Sequence, residues 1–246
     1  MNPQLAELPR HLCDLNLRHM AEHYESLAQE AAREQFGHVE YLARLVAGEA
    51  AARYERSVAR RIKQARLPFL KTLEQFNWTW PTKINRPQIQ DIFRLRFVEH
   101  NANVVFIGGV GLGKTHLAIA LAHTACLQDV PVRFTSAVDI VNALSAAQSA
   151  NVLPKALKQY LTPRLLVIDE LGYLPMDKRG ADLLFQVISA RYERGAVVLT
   201  SNTAYKQWPR IFNNDATITS AFLDRRLHHC ETVTIEGKSY RMKDKV

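Results

Sequence analysis

The chain has 246 residues, 47% of them hydrophobic, enough to bury one sizeable core and to carry a small second unit. Charged residues make up 23%, which excludes a disordered chain, and no apolar run approaches the ~20 residues that span a bilayer. The net charge of +8 favours an anionic partner, nucleic acid first.

The start Met1-Asn2-Pro3-Gln4 has neither the basic nor the apolar region of a signal peptide. Cys13, Cys126 and Cys230 are dispersed, which fits a reducing cytosol rather than a disulfide framework. His228-His229-Cys230 invites a metal reading, but no second ligand cluster accompanies it.

Residues 1–67 read as a helical domain. Leu5, Leu8, Leu12 and Leu15 recur at helical spacing, and Met20, Tyr24, Leu27 and Ala31 repeat the pattern after a break near Asn16. Gly37 opens a third segment whose apolar stripe is Val39, Leu42, Leu45 and Val46. Its C-terminal half is basic. At ~100° per residue, Arg53, Arg56, Arg60 and Lys63 fall within an arc of about 80°, opposite Tyr54, Val58, Ile62 and Ala65. Aligned cations of this kind suit a phosphate-tracking face, or equally a solvated one.

Pro68 stops the helix, and residues 68–87, with Trp78, Trp80, Pro81 and Pro87, read as an irregular linker. A short helix with Ile89, Ile92, Phe93 and Phe97 inward opens a larger domain, 88–246. From Asn103, apolar runs alternate with amphipathic stretches: Val104–Ile107, Val130–Phe134, Leu165–Ile168, Ala196–Thr200 and Thr232–Ile235. Near-continuous apolar strands separated by helices predict an α/β fold with a five-stranded parallel sheet covered on both faces.

Residues Gly108, Gly109, Val110, Gly111, Leu112, Gly113, Lys114 and Thr115 match G-x-x-x-x-G-K-[ST] between a strand and a helix that begins at His116. Glycines let backbone N–H groups wrap phosphates, and the helix N-terminus adds partial positive charge. Lys114 is placed to reach the β- and γ-phosphates of ATP, and Thr115 to hold Mg²⁺. Further along, Lys155 and Lys158 lie between the second and third strands and are candidate DNA contacts. Leu165–Ile168 then delivers Asp169 and Glu170 at a strand's carboxyl end, where ligands of such sheets bind. Asp169 suits Mg²⁺, and Glu170 suits orienting and deprotonating water. Val197–Ser201 ends in Asn202, placed to bond the γ-phosphate or that water. Leu223-Asp224-Arg225-Arg226-Leu227 offers an arginine finger, Arg225 before Arg226, toward a neighbouring subunit's ATP.

This order of motifs resembles the AAA+ ATPases of the helicase-loader clade. Gly111–Ala122 (GLGKTHLAIALA), Val167–Pro175 (VIDELGYLP), Leu184–Arg194 (LFQVISARYER), Thr200–Asn202, Leu223–His229 and Ile235–Arg241, with Lys63–Leu73, look like IstB-type helper ATPases of insertion-sequence transposition across almost the whole chain. Two departures stand out. The loop reads Gly-Gly-Val-Gly where the family usually has Gly-Pro-Pro-Gly, and Arg226 replaces a usual apolar residue. Too few residues follow Asn202 for a full lid domain, which fits the lidless form. The resemblance implies a bacterial, cytoplasmic protein that assembles with ATP as a homo-oligomer on duplex DNA, its ATP sites at subunit interfaces. It also implies delivery of that DNA to a cognate transposase, and hydrolysis that regulates the assembly. The runner-up is a DnaC-type replicative helicase loader. Its single-strand binding would favour exposed aromatics, which the N-terminal spacing does not indicate.

Overall fold

The computed structural model describes residues 3–227 and 230–240, and the side chains of residues 3–5 and 225–227 lie outside that description. The chain divides into two compact units, Met1–Arg60 and Arg61–Val246.

In the first unit, α1 (Pro3–Asp14) ends at Asn16, whose φ of 58° is a left-handed conformation that Asn tolerates well. α2 (Arg18–Glu34) follows, then α3 (His38–Ala65), which continues into the second unit. The N-terminus of α2 has no side-chain cap of its own. Glu49, only 4% exposed, takes that role from α3: its Oε2 accepts from the backbone N–H of His19 at 2.8 Å and of Met20 at 3.2 Å. The stripe on α3 is divided. Leu45 is buried, whereas Val39, Leu42 and Val46 are exposed, because so small a unit encloses few side chains.

The second unit begins with residues 61–65 at the end of α3 and an irregular stretch, then α4 (Arg86–Ile92) and α5 (Arg96–Glu99). The alternating part follows as β1 (Asn103–Gly108), α6 (Lys114–Leu127), β2 (Val132–Ser136), α7 (Ala137–Ser149), α8 (Leu153–Leu161), β3 (Leu165–Leu171), α9 (Lys178–Ala190), β4 (Ala196–Ser201), α10 (Trp208–Ile211), α11 (Ala216–Leu227) and β5 (Cys230–Ile235). All strand pairs are parallel, and their order is β2-β3-β4-β1-β5. β2 starts two residues later than its apolar run, because the chain turns through Asp129 at φ 59° and Pro131 has no N–H to donate.

Alternation along the strands feeds two cores. Val104, Phe106, Val167 and Val198 face α4, α5 and α6, while Val105, Ile107, Ile168 and Leu199 face α7, α9, α10 and α11. Both faces of β1 and β3 are therefore dry along their apolar runs, and the charged residues of β3 come only at its carboxyl end. One buried cation braces the opposite, amino-terminal end of β3 and β4. Arg191, 2% exposed, donates to the carbonyls of Tyr160, Pro163 and Ala196 at 2.8 Å and of Arg164 at 3.0 Å. It joins the loop before β3 to the start of β4. Among the described residues no helix is long and apolar enough to cross a membrane.

Candidate nucleotide site

The turn after β1 has the form of a phosphate-binding loop. Gly113 sits at φ 88°, and a Cβ there would meet the Phe76 ring at 2.6 Å, so only glycine fits. A Cβ on Gly108 would meet the carbonyl oxygen of Ile235 on the neighbouring strand. α6 then begins at Lys114, its first N–H groups facing the loop. Gly109 and Val110 at the loop's tip are exposed. Leu112 is buried and anchors the turn from beneath. Lys114 is itself buried, and its Nζ donates to the carbonyls of Gly108 at 2.8 Å and Gly109 at 2.7 Å. This arrangement parks the ammonium inside the loop that it would leave for a phosphate.

Two strands away, β3 delivers the acidic pair through a bulge. Ile168 pairs with Leu199 and Leu171 with Ser201, so Asp169 and Glu170 together face Thr200 alone. Glu170 takes φ 60°, left-handed and unusual for glutamate, and its side chain is exposed. Thr200, 1% exposed, holds the bulge from both ends: its Oγ1 accepts from the Glu170 N–H at 3.0 Å and donates to Oδ1 of Asp169. The same Oδ1 accepts from Thr115 Oγ1 at 3.0 Å. A hydroxyl and a carboxylate, both hard oxygen donors, thus meet where α6 begins, a donor set suited to Mg²⁺.

A cavity of about 290 Å³ brings Lys114, Thr115, Glu170 and Asn202 together, with Val110, Tyr173 and Thr200 on its wall. Beside it, a cavity of about 340 Å³ opens on Gly111 and Gly113 and is walled by Phe76, Trp80, His116 and Tyr240. Part of the stretch read from sequence as a linker, together with residues 238–240 after β5, builds this second wall. Trp80 Nε1 donates to the Lys238 carbonyl at 2.8 Å, its ring meets Tyr240 edge-on at 5.3 Å, and Tyr240 N–H donates to the Gly111 carbonyl at 2.9 Å. His116 Nε2–H donates to the Thr72 carbonyl at 2.9 Å. Burial pulls its imidazole below the ordinary range, Lys71 adds to that, and the Thr72 carbonyl opposes it.

Sequence reasoning missed Thr200, Phe76, Trp80 and Tyr240. The two linker tryptophans were a usable signal, since aromatic residues in an irregular stretch need something to cover. The others depend on strand register and on chain closure. Arg225 and Arg226 lie on α11, and their side chains are outside the described residues, as are His228 and His229. Arg53, Arg56 and Arg60 are exposed on α3, as is Lys63, and Lys155 and Lys158 are exposed on α8. Among the described residues no group of three or more His, Cys, Asp and Glu could hold a metal ion, and the His228-His229-Cys230 reading rests on two histidines outside them.

A parallel sheet in this strand order, with a phosphate loop after β1 and an acidic pair at the carboxyl end of β3, defines the AAA+ class of P-loop proteins. Solved structures agree on the fold. The DnaC helicase loader superposes with a TM-score of 0.54 at 21% identity, covering 67% of this chain and 96% of that one. AMPPCP-bound DnaA from Aquifex aeolicus superposes at 0.57 and 21% identity, covering 73% of this chain and 54% of that one, so this chain spans about half of DnaA.

Residues 10–246 match the family of IstB-like ATP binding proteins, and the chain belongs to that family. A putative ATP-binding protein of insertion sequence IS21 from Pseudomonas aeruginosa is 40% identical over 239 residues, covering 97% of this chain and 90% of its own. One of IS5376 from Geobacillus stearothermophilus is 36% identical, covering 94% and 92%. This protein binds ATP.

Proposed function

We propose that this protein is an ATPase that helps an insertion sequence transpose by assembling on duplex target DNA, recruiting the transposase, and using hydrolysis to end the assembly. One observation carries the enzymatic part: a single cavity gathers Lys114, Thr115, Glu170 and Asn202, with Asp169 bonded to Thr115 at its edge. In this reading Lys114 leaves the Gly108 and Gly109 carbonyls for the β- and γ-phosphates, and the cradle's N–H groups hold the phosphate chain. Thr115 and Asp169 hold Mg²⁺, which neutralises phosphate charge when bound. Glu170 orients the attacking water and takes its proton, and Asn202 bonds the water or the γ-phosphate. The aromatic-walled cavity takes the adenine base.

The family relatives support the transposition role, since those named above are described as proteins of insertion sequences. A transposase is therefore the proposed protein partner. The exposed arginines of α3, with Lys155 and Lys158, supply candidate DNA contacts. A homo-oligomer with Arg225 reaching into the neighbouring site completes the reading, in which charge on the transferring phosphoryl group is met from the next subunit. Cells that house such elements place the protein in the bacterial cytoplasm.

The test measures ATP turnover with and without duplex DNA, for wild type and Glu170→Gln, beside light scattering. DNA-stimulated turnover that Glu170→Gln abolishes, with DNA-bound assemblies persisting in the variant, supports the reading. Turnover indifferent to duplex DNA, with copurification of a replicative helicase instead of a transposase, would turn it into a helicase loader. Retained tight nucleotide binding in Lys114→Ala would remove the phosphate-loop assignment.

A further inference from the structure

We propose that a concave surface between the α1–α2 turn and α3 is a clamp for the backbone phosphates of duplex DNA, and that Arg18 and Arg60 are its two free jaws. The proposal rests on the reading that the protein binds duplex DNA and assigns where the N-terminal unit does so.

The surface encloses about 570 Å³ and is lined by Asn16, Arg18, Arg53, Arg56, Ser57 and Arg60. Four guanidinium groups converge there and no carboxylate shares the lining. The acid that bonds a lining residue, Glu49, is outside the lining and already committed. Its Oε1 accepts from Arg56 Nη2 at 2.9 Å, and its Oε2 accepts the two N–H groups at the start of α2. Burial works to raise the Glu49 carboxyl, but those N–H groups and Arg56 outweigh it and hold the group below its ordinary value. Glu49 therefore stays ionised, fixes Arg56, and ties the turn carrying Asn16 and Arg18 to α3. Arg53 Nη2 reaches the Asn16 carbonyl at 3.5 Å. Among the described residues neither Arg18 nor Arg60 has an ion-pair partner.

Cations gathered within a Debye length of ~8 Å repel one another until an anion arrives. Arginine's planar fork matches phosphate in particular. From Arg53 to Arg60 the helix rises about 10 Å, enough to meet two or three successive phosphates of one strand. The lining also identifies the partner. It holds no aromatic side chain on which unpaired bases stack, and no apolar pocket to anchor an acidic peptide. What remains is sequence-independent backbone contact. Lys63 shares the basic arc in sequence but is absent from the lining.

The test uses the full chain with ATP and a fluorescent duplex, its affinity measured across a salt series. Arg18→Gln/Arg60→Gln should weaken binding at least 10-fold at ~0.15 M salt and reduce the log–log salt slope by about 2, as expected for two lost phosphate contacts. Lys63→Gln should change affinity less than 3-fold. Among the described residues both jaws are exposed and without an ion pair, so the double variant should melt with wild type. If the variant binds duplex with wild-type affinity and slope, the clamp is wrong while DNA binding by the protein stands. If wild type itself ignores duplex DNA at low salt, the underlying reading fails and takes the clamp with it. If the variant loses binding of polyglutamate but not of duplex, the surface serves an acidic protein and the proposal is overturned.

Discussion

Thr200→Val removes one hydroxyl and almost no volume, and it should separate catalysis from nucleotide binding. Thr200 is 1% exposed and spans the β3 bulge, accepting from Glu170 N–H at 3.0 Å while donating to Asp169. The left-handed backbone at Glu170, φ 60°, costs roughly 1–2 kcal/mol for a residue with a Cβ. A hydrogen bond of about 1–1.5 kcal/mol offsets that cost, and an N–H left unsatisfied loses about 1–3 kcal/mol. Valine thus takes away roughly the amount that keeps Glu170 in place. A shift of about 1 Å in a catalytic group costs up to ~100-fold in rate. We expect kcat to fall between about 10- and 100-fold. The ATP dissociation constant should stay within about 3-fold, because the phosphate loop keeps its own bonds. Thr200→Ser keeps the hydroxyl and should restore most of the rate. Steady-state turnover, fluorescent-nucleotide binding and thermal melting on the three proteins provide the check. A valine variant with wild-type kcat, or a serine variant as slow as valine, would refute the bulge argument.

Three further outcomes are expected. Trp80→Ala should weaken ATP binding about 10-fold through loss of a base-stacking surface worth ~1–3 kcal/mol, while leaving tripolyphosphate binding unchanged; competition against a fluorescent nucleotide shows whether the two ligands part company. Arg191→Met should destabilise the second unit by at least about 3 kcal/mol, since several buried carbonyls lose their donor together, and denaturant unfolding that moves by under ~1 kcal/mol would contradict it. Burial pushes the Cys126 thiol up to about 11, partly countered by Arg61. A group raised in the folded state stabilises below its unfolded value and loses that contribution as pH rises through the folded one, so Cys126 should make stability fall between about pH 9 and 11. Cys126→Ala should flatten that limb of a pH series of urea melts.

The sheet was legible because β1, β3 and β4 are wet on neither face and so read as unbroken apolar runs. The chemistry at their ends was legible for the same reason: Asp169, Glu170 and Asn202 appear abruptly after runs that tolerate no charge. Thr200 was hidden, since a threonine that ends an apolar strand looks like any β-branched residue, and only register places it opposite two carboxylates. Tyr240 was hidden because its partners, Trp80 and Gly111, are far away in sequence. The run RYER has no role legible in the sequence. Arg191 within it braces the amino-terminal ends of β3 and β4, which is an architectural reason for that residue. The stripe on α3 misled in the other direction. Periodicity reports that a helix has an apolar face, and burial of that face requires a partner surface that three short segments do not provide for Val39, Leu42 and Val46.

The place of β1 in the sheet also sets an order of events during synthesis. β1 lies between β4 and β5, with Asn103 paired to both Val197 and Cys230. The strand that carries the phosphate loop leaves the ribosome before either neighbour exists, and the Tyr240 contact to Gly111 is made later still. A nascent chain therefore holds Val-Val-Phe-Ile unpaired until β4 has emerged. Nucleotide cannot shelter it early, because Asp169, Glu170 and Asn202 of the same cavity region come much later in the chain.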